Sequence, residues 1–283
     1  MRPVLVTLHA HPDDEAIFTG GTIVSAVEAG WRVVLIVATE GDLGVHPLSA
    51  GTDLGAHRRE ETLTAASVLG IERVEFLGYR DSGYATLADD DDDLSVAQAR
   101  GLQSGTLAAA FVDGAARAVR RILLEERAVA LTSYDSNGIY GHIDHVQVHE
   151  IARQSVVGTD CELYEATISR AVLRRLRNVL MERGLVQELW PMALAEHLGV
   201  EDGADLVAVD VFRHLGTKLA AVAAHSSQVM EAPSFMGLPA GVFHHLLDTE
   251  WFRIARPGAG RFLDMVESAN APLPAPELVL SGK

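Results

Sequence analysis

The sequence is poor in cysteine and in positive charge, and it has no long apolar run. A single cysteine, Cys161, excludes an intramolecular disulfide and any cysteine-rich metal site. The 23 Lys and Arg residues against 39 Asp and Glu residues give a formal net charge of −16, which argues against a general nucleic-acid or anionic-membrane binder. No stretch reaches the roughly 18 apolar residues of a membrane-spanning helix. Twelve histidines beside these carboxylates leave metal chemistry open.

The start of the chain also lacks the features of a secretory signal. One arginine and six further residues, Pro3 to Leu8, precede the first histidine, whereas a signal peptide needs a longer apolar stretch and a small-residue cleavage site. Together with the single cysteine, this favours a cytoplasmic protein. The 283 residues, 48% of them hydrophobic, are sufficient for a sizeable core and exclude global disorder.

Short apolar strands alternate with amphipathic helices along residues 1–168. Strands over 4–8 and 32–38, joined by a helix over 13–30, form a βαβ unit, which predicts parallel pairing with a right-handed crossover. The alternation then continues with strands over 73–76, 129–134 and 163–168 and helices over 57–69, 106–127 and 142–153. We therefore predict a Rossmann-like α/β three-layer sandwich with a mostly parallel sheet.

The order of elements is less regular after residue 168. Residues 169–283 are expected to complete the sheet and the substrate pocket as a smaller C-terminal part, integrated with residues 1–168 into one domain. Their predicted elements are helices over 169–183 and 211–224 and a strand over 205–210. Three segments are predicted to be irregular: a solvated run of aspartates at 89–93, a lid, pocket wall or ordinary loop at 226–245, and a tail at 270–283.

Polar residues follow two of the predicted strands. The first strand leads into H-A-H-P-D-D-E at 9–15, and the strand over 129–134 leads into D-S-N-G-I-Y-G-H-I-D-H at 135–145. Because ligands bind beyond the carboxyl ends of strands in open α/β sheets, both clusters are expected at one edge. His11, Asp14 and His145 can supply the two imidazoles and one carboxylate of a catalytic zinc site, and the same set also suits Fe2+.

Neighbouring residues have simpler interpretations. His149 is a weaker ligand candidate, because paired histidines four residues apart are frequent on helices. His9 is weaker still, given the three stronger candidates. Pro12 biases the residue before it towards an extended conformation, and one of the two aspartates that follow is expected at a helix N-terminus. Gly20 and Gly21 are expected to permit close packing of the first helix.

The segment H-A-H-P-D-D-E-A-I-F-T-G-G-T-I at 9–23 resembles the PIG-L or LmbE-like zinc N-deacetylases, which remove acetyl groups from N-acetylglucosamine units of glycoconjugates. Residues 10–15 match the family core A-H-P-D-D-E in full, and H-I-D-H at 142–145 has the form of the second signature, H-x-D-H. The likeness spans roughly residues 3–150, with a thinner match near 225. The resemblance implies a Zn2+-dependent hydrolase that acts on a small-molecule N-acyl amino sugar.

The resemblance also implies roles for individual residues. It keeps the three metal ligands given above and makes Asp13 the general base. His142 would stabilise the developing oxyanion and protonate the amine, with Asp144 orienting it and Tyr140 assisting. The implied substrate contacts are either Arg58 or Arg59, together with Asp81 and His225.

Several alternatives stay open. Ile143 stands where several bacterial relatives carry proline, so a mycothiol-conjugate amidase or an antibiotic-intermediate deacetylase competes with a mycothiol-precursor deacetylase. A non-catalytic carbohydrate-binding relative is a further alternative. A nucleotide-binding oxidoreductase is disfavoured, because the first βα turn lacks G-x-G-x-x-G and carries two acids that repel pyrophosphate. Arg58 and Arg59 are also explained by surface ion pairs and Asp81 by a turn. Oligomeric state is not predicted.

Overall fold

A mixed sheet runs through the part of the chain that the computed structural model describes, residues 2–44, 52–83, 103–182, 198–229 and 247–269. Its seven strands are β1 (Val4–His9), β2 (Arg32–Thr39), β3 (Arg73–Tyr79), β4 (Ala130–Tyr134), β5 (Glu162–Thr167), β6 (Leu206–Asp210) and β7 (Thr249–Arg256). Their order across the sheet is β3-β2-β1-β4-β5-β7-β6. The strands on both sides of residue 168 therefore belong to one sheet.

The first five strands are parallel, as the alternation of strands and helices predicts. β1 pairs with β2 from Val4 opposite Arg32 onwards, and with β4 from Leu5 opposite Ala130 onwards. Every residue of β1 and β4 is buried, and burial on both faces explains their unbroken apolar sequences. The parallel βαβ prediction is confirmed, and the carboxyl ends of β1 and β4 lie side by side.

The two strands from the C-terminal part run antiparallel to their neighbours. β7 lies between β5 and β6, with Phe252 opposite both Ala166 and Val207. The sequence prediction lacks β7, because T-E-W-F-R-I-A-R has no run of β-branched residues and carries two arginines. One of them, Arg253, pairs with Asp205 at 3.1 Å outside the core.

Helices cover both faces of the sheet. Within the described residues they are α1 (Asp14–Phe18), α2 (Gly20–Glu28), α3 (Leu54–Leu69), α4 (Val112–Glu126), α5 (Gly138–Gly141), α6 (Ile143–Ser155), α7 (Arg170–Glu182), α8 (Leu215–Ala224), α9 (Ser226–Val229) and α10 (Arg261–Ala269), with a 3-10 turn over Phe212–His214. Most predicted helices are present with shifted ends; α10 was not predicted.

The single helix predicted over 13–30 is two helices that meet at Thr19. The hydroxyl of Thr19 donates to the carbonyl of Glu15 at 3.1 Å. The carboxylate of Glu250 then accepts from the backbone N–H groups of Gly21 and Thr22, both at 2.8 Å, which stabilises the new N-terminus. Because Glu250 lies on β7, local sequence spacing does not reveal this break.

The helix predicted over 106–127 begins only at Val112. Thr106 forms an isolated parallel bridge with Arg80, and the backbone N–H of Leu107 donates to the Arg80 carbonyl at 2.9 Å. These pairings hold the segment beside the end of β3, where it cannot make helical hydrogen bonds.

Alternate residues of β1 face two separate apolar layers. Val4, Val6 and Leu8 pack with α4 and α6 on one face of the sheet, and Leu5 packs with α2, α3, α8 and α10 on the other. This arrangement confirms the predicted three-layer sandwich. On α3, Ala66 and Leu69 are buried, whereas Leu63 is 42% exposed, although the helical spacing of these three residues predicts one buried apolar stripe.

Some predicted features lie outside the described residues: the aspartates at 89–93, the tail at 270–283 and most of 226–245, of which only α9 is described. Among the helices of the described ranges, none is both long enough and apolar enough to cross a membrane.

Candidate metal and active site

The two polar clusters meet beyond the carboxyl ends of β1 and β4, as the topology predicts. His11 and Asp14 follow β1, and His145 lies in the first turn of α6, after β4. Oδ2 of Asp14 is 3.5 Å from Nδ1 of His11 and 3.4 Å from Nε2 of His145. All three side chains are buried. The structure therefore brings together the three residues chosen from the sequence.

The two contacts of Asp14 have the spacing of neighbouring ligands on one metal ion. A tetrahedral ion with ligand bonds of about 2.0–2.2 Å places its ligand atoms about 3.3–3.6 Å apart. Burial acts to raise the pKa of Asp14, but the charges and hydrogen bonds of His145 and His11 outweigh it and hold the pKa well below its ordinary value. An ionised carboxylate between two imidazoles is the donor set that zinc or iron(II) accepts.

Among the described residues, two groups of three have candidate ligand atoms close enough to hold an ion; both contain His11, and neither contains Asp14. One joins His11 with His142 and His145, and the other joins it with Asp81 and Asp144; within each group the candidate ligand atoms lie within 4.8 Å of one another. The predicted set therefore belongs to a wider cluster of buried candidate ligands around His11.

Asp13 has an unusual backbone conformation. Its φ of 100° is rare for any residue except glycine and stores strain at this turn. Its backbone N–H donates to Oε2 of Glu15 at 3.1 Å. Asp13 is at the N-cap position of α1 and Asp14 is in its first turn, as expected, although the Asp13 side chain makes no N-cap hydrogen bond. Burial raises the pKa of Asp13 to about 6, although the charge of Arg58 opposes this rise.

The guanidinium of Arg58 lies against Asp13, whereas that of Arg59 does not. Nη2 of Arg58 is 3.3 Å from Oδ2 of Asp13, and the side chain is buried. Arg59 points to the surface, where it pairs with Glu40 at 3.2 Å and stacks over the ring of Phe76. Of the two arginines left open by the sequence, only Arg58 reaches the site.

The carboxylate of Asp144 contacts His11, and its predicted role in orienting His142 stays a prediction. Its Oδ2 is 3.2 Å from Nε2 of His11 and accepts from the backbone N–H of Ser82 at 3.0 Å, while Oδ1 accepts from the Ser82 hydroxyl. Nδ1 of His142 accepts a hydrogen bond from the backbone N–H of Asp144 at 3.2 Å. Asp81 lies alongside, with Oδ1 3.7 Å from Nε2 of His11 and accepting from the backbone of Gly83. Asp81 therefore stabilises a turn and also lies beside His11.

Tyr140 and His142 are presented by a strained turn. Ile139 has a φ of 67°, which is costly for a β-branched residue. Its N–H donates to Oδ1 of Asp135 at 2.9 Å, and its carbonyl accepts from Gly199 at 2.7 Å. The hydroxyl of Tyr140 then lies 3.5 Å from Nε2 of His145. Contacts from distant segments hold the strained turn in place.

His225 lies against Glu15, the residue two positions after the proposed base. It is fully buried, and its Nε2 is 2.6 Å from Oε1 of Glu15, the residue that also holds the backbone of Asp13. Burial acts to lower the pKa of His225, but the charge of Glu15 and its hydrogen bond outweigh it and raise the pKa. The role of His225 as a substrate contact stays a prediction.

The two weaker ligand candidates, His9 and His149, have hydrogen-bonding partners within the protein. Nε2 of His9 lies 2.7 Å from the Thr7 hydroxyl, and Nδ1 of His149 lies 3.0 Å from the carbonyl of Tyr134. Sequence reasoning overlooked Tyr134, Ser82 and Glu15, all of which touch site residues. Tyr134 carries one local signal, since it is the last residue of a predicted strand that leads into a polar cluster.

Known proteins resemble this chain in sequence and in fold. Residues 6–156 match the family model described as PIG-L: GlcNAc-PI de-N-acetylase. A Thermobispora bispora protein named 1D-myo-inositol 2-acetamido-2-deoxy-alpha-D-glucopyranoside deacetylase is 29% identical, over 96% of this chain and 94% of that protein. A protein of the same name from Saccharomonospora viridis is 32% identical, over 92% and 98%. The solved structure of the zinc inhibited form of teicoplanin deacetylase Orf2 has a TM-score of 0.60 at 15% identity, covering 90% of this chain and 99% of that one, and shares the fold.

Proposed function

Since the chain belongs to the PIG-L family, we propose that it is a metal-dependent N-deacetylase that hydrolyses the acetamide of an N-acetylglucosaminyl compound. The names of its relatives favour a glycoside of inositol with 2-acetamido-2-deoxyglucose as the substrate. Zinc as the resident ion and the cytoplasm as the location are part of this proposal.

One arrangement carries the proposal. Asp14 lies between His11 and His145, and the adjacent residue, Asp13, is turned by its strained backbone towards Arg58. Neighbouring aspartates thus point to different partners, so that one is suited to ligation and the other to proton transfer. A bound ion would supply Lewis acidity, lowering the pKa of water and polarising the amide carbonyl.

Asp13 is the proposed general base. Its pKa of about 6 leaves most of its carboxylate ionised at neutral pH, so it can accept a proton as water attacks the amide carbon. Arg58 restrains that carboxylate, and Glu15 restrains the backbone beside it. The base is therefore positioned from both sides before substrate arrives.

His142 is the proposed hydrogen-bond donor to the developing oxyanion, and the leaving amine receives the proton that Asp13 has taken from water. Burial, reinforced by the charges of His11 and His145, lowers its pKa well below the ordinary value, which favours the neutral ring. Because Nδ1 accepts from the backbone N–H of Asp144, the proton of the neutral ring is on Nε2. That nitrogen is thus a hydrogen-bond donor. Tyr140, close to His145, is proposed to assist it.

An acetate-release assay tests the proposal. The zinc-loaded protein would be offered the inositol glycoside of 2-acetamido-2-deoxyglucose, N,N'-diacetylchitobiose and free N-acetylglucosamine, with iron(II) loading in parallel. Turnover of the inositol glycoside is expected, and Asp13→Asn should lower it by about 10²–10⁴-fold while retaining the metal. Asp160→Asn is the matched control, since Asp160 is exposed and precedes β5 at the opposite edge of the sheet.

Two results would contradict parts of this function. No acetate from any of these compounds, with metal verified in the protein, would refute the proposed deacetylase activity on them. Normal turnover by Asp13→Asn would leave the reaction in place and remove Asp13 as its base.

A further inference from the structure

Tyr134, the last residue of β4, touches two of the proposed metal ligands. Its hydroxyl donates to Oδ2 of Asp14 at 2.8 Å. Its ring stacks on the imidazole of His145, with centroids 4.2 Å apart and 10° between the planes. From these contacts we infer that Tyr134 is a positioning residue that presets both ligands for the metal. This inference rests on the proposed metal site and adds a residue that does not itself bind the ion.

The sheet fixes where Tyr134 lies. In the parallel pair of β1 and β4, Thr7 is opposite Thr132, and two residues further along come His9 and Tyr134. Side chains two residues apart on a strand share a face, so these two rings lie together above the same face. They make an edge contact with centroids 5.5 Å apart. The position of the tyrosine is therefore set by strand register rather than by a mobile loop.

The orientation of the hydroxyl is also determined. Tyr134 is fully buried. Its oxygen accepts from the backbone N–H of Ala10 at 2.9 Å and lies 3.1 Å from Nδ1 of His9. With a backbone donor occupying one lone pair, the single O–H is directed to Asp14.

Asp14 has a second hydrogen-bond donor besides Tyr134. It begins α1, a helix of five residues, directly after the strained Asp13. The backbone N–H of His11 donates to the same Oδ2 at 2.9 Å. Two donors on one oxygen fix the plane of the carboxylate and favour its ionised form, which is the form that binds a cation. Outer partners of this kind orient ligands and strengthen metal binding.

Tyr164 provides a matched comparison. It is fully buried on the adjacent strand β5, and its hydroxyl donates to Oε2 of Glu162 at 3.0 Å. That carboxylate accepts a hydrogen bond from the backbone N–H of Gly260, just before α10. Glu162 belongs to neither group of candidate metal ligands among the described residues. Tyr164→Phe therefore removes the same chemical group from the same kind of environment without touching a ligand.

The experiment compares wild type, Tyr134→Phe and Tyr164→Phe, all prepared metal-free. Zinc affinity is measured by competition with a chromogenic chelator, and the visible spectrum is recorded with saturating Co2+. Phenylalanine keeps the ring stacked on His145, so the hydroxyl alone is tested. Tyr134→Phe is expected to weaken zinc binding about 10–100-fold and to change the cobalt spectrum. Tyr164→Phe is expected to leave both unchanged.

The outcomes separate this inference from the proposed function. Wild-type affinity and spectrum in Tyr134→Phe would overturn the inference and leave the deacetylase proposal intact. Equal losses of affinity in both variants would also overturn it, since general destabilisation then explains the effect. A wild-type protein that binds neither zinc nor cobalt would overturn the metal site and the inference together. The cobalt spectrum at saturation reports on folded, loaded protein, so a modest loss of stability in Tyr134→Phe does not obscure the answer.

Discussion

The guanidinium of Arg58 lies 3.3 Å from the carboxylate of Asp13, although 45 positions separate the two residues in the chain. Its remaining hydrogen bonds go to the backbone carbonyls of Pro12 at 2.6 Å and Gly41 at 3.0 Å. Arg58 is therefore anchored to the loops after β1 and β2, and Asp13 sits against a fixed positive charge.

Replacement of Arg58 by lysine is expected to lower acetate release by about 10²-fold, the loss that misplacement of a catalytic group by about 1 Å causes. An ammonium group cannot reproduce the planar fork that reaches both carbonyls and the carboxylate. Arg59→Lys is the control on the same helix and should retain activity, because Arg59 is exposed. Turnover and thermal unfolding measured for both variants check this prediction. Equal activity in the two would show that the fork is not required.

Gly21 permits close packing of α2, as expected from the sequence. The neighbour that it approaches is Val211, which follows β6 and is not part of a strand. A Cβ atom added at Gly21 would lie 2.3 Å from Cβ of Val211. Gly21→Ala should therefore lower the free energy of unfolding by about 1–3 kcal/mol. Gly216→Ala, on α8 with no atom within 4 Å of the added Cβ, should raise it by about 0.4–1 kcal/mol. Urea unfolding of both variants measures the difference, and a neutral Gly21→Ala would contradict the packing described.

His214 is expected to make stability sensitive to mild acid. Burial lowers its pKa, and the charge of nearby Glu28 only partly opposes this effect. Nε of Arg213 donates to Nε2 of His214 at 2.8 Å, a bond that protonation of the ring would break. The unfolded chain thus takes up the proton near pH 6.5 while the folded protein resists it, so stability is lost as pH falls below about 6.5.

The variant His214→Gln isolates this effect. Free energies of unfolding of wild type and variant, measured from pH 5 to pH 7, should converge as the pH falls, by at most about 1.4 kcal/mol per pH unit. Parallel pH profiles for the two proteins would exclude His214 as the source.

The thiol of Cys161 is expected to be unreactive in the folded protein. It is 2% exposed in the apolar layer beneath α4 and α6, and burial raises its pKa to about 12. Since the thiolate is the reactive form, a thiol reagent at neutral pH should label the native protein very slowly and the urea-unfolded protein rapidly. Fast labelling of the native protein would indicate that this layer opens readily.

The parallel strands and the family were predictable because their signals are local. The buried runs of β1, β2 and β4 and the segments A-H-P-D-D-E and H-I-D-H are each contiguous in the chain. Parallel pairing alone then places the residues after β1 near those after β4, which is why His11, Asp14 and His145 were identified before any distance was known. Strand β7 escaped prediction because the charge of Arg253 within it is satisfied by Asp205 and Glu165, which only the folded sheet brings near.

The sequence by itself determined the α/β class, the family and the edge of the sheet where the chemistry lies, since strand order and short motifs require only neighbouring residues. Only the tertiary structure distinguished Arg58 from Arg59. It also showed that His225 is buried against Glu15, that Asp144 contacts His11 and that Tyr134 touches two proposed metal ligands. These contacts join residues up to 210 positions apart. Their geometry depends on how helices and strands pack in three dimensions, and no local pattern in the chain encodes it.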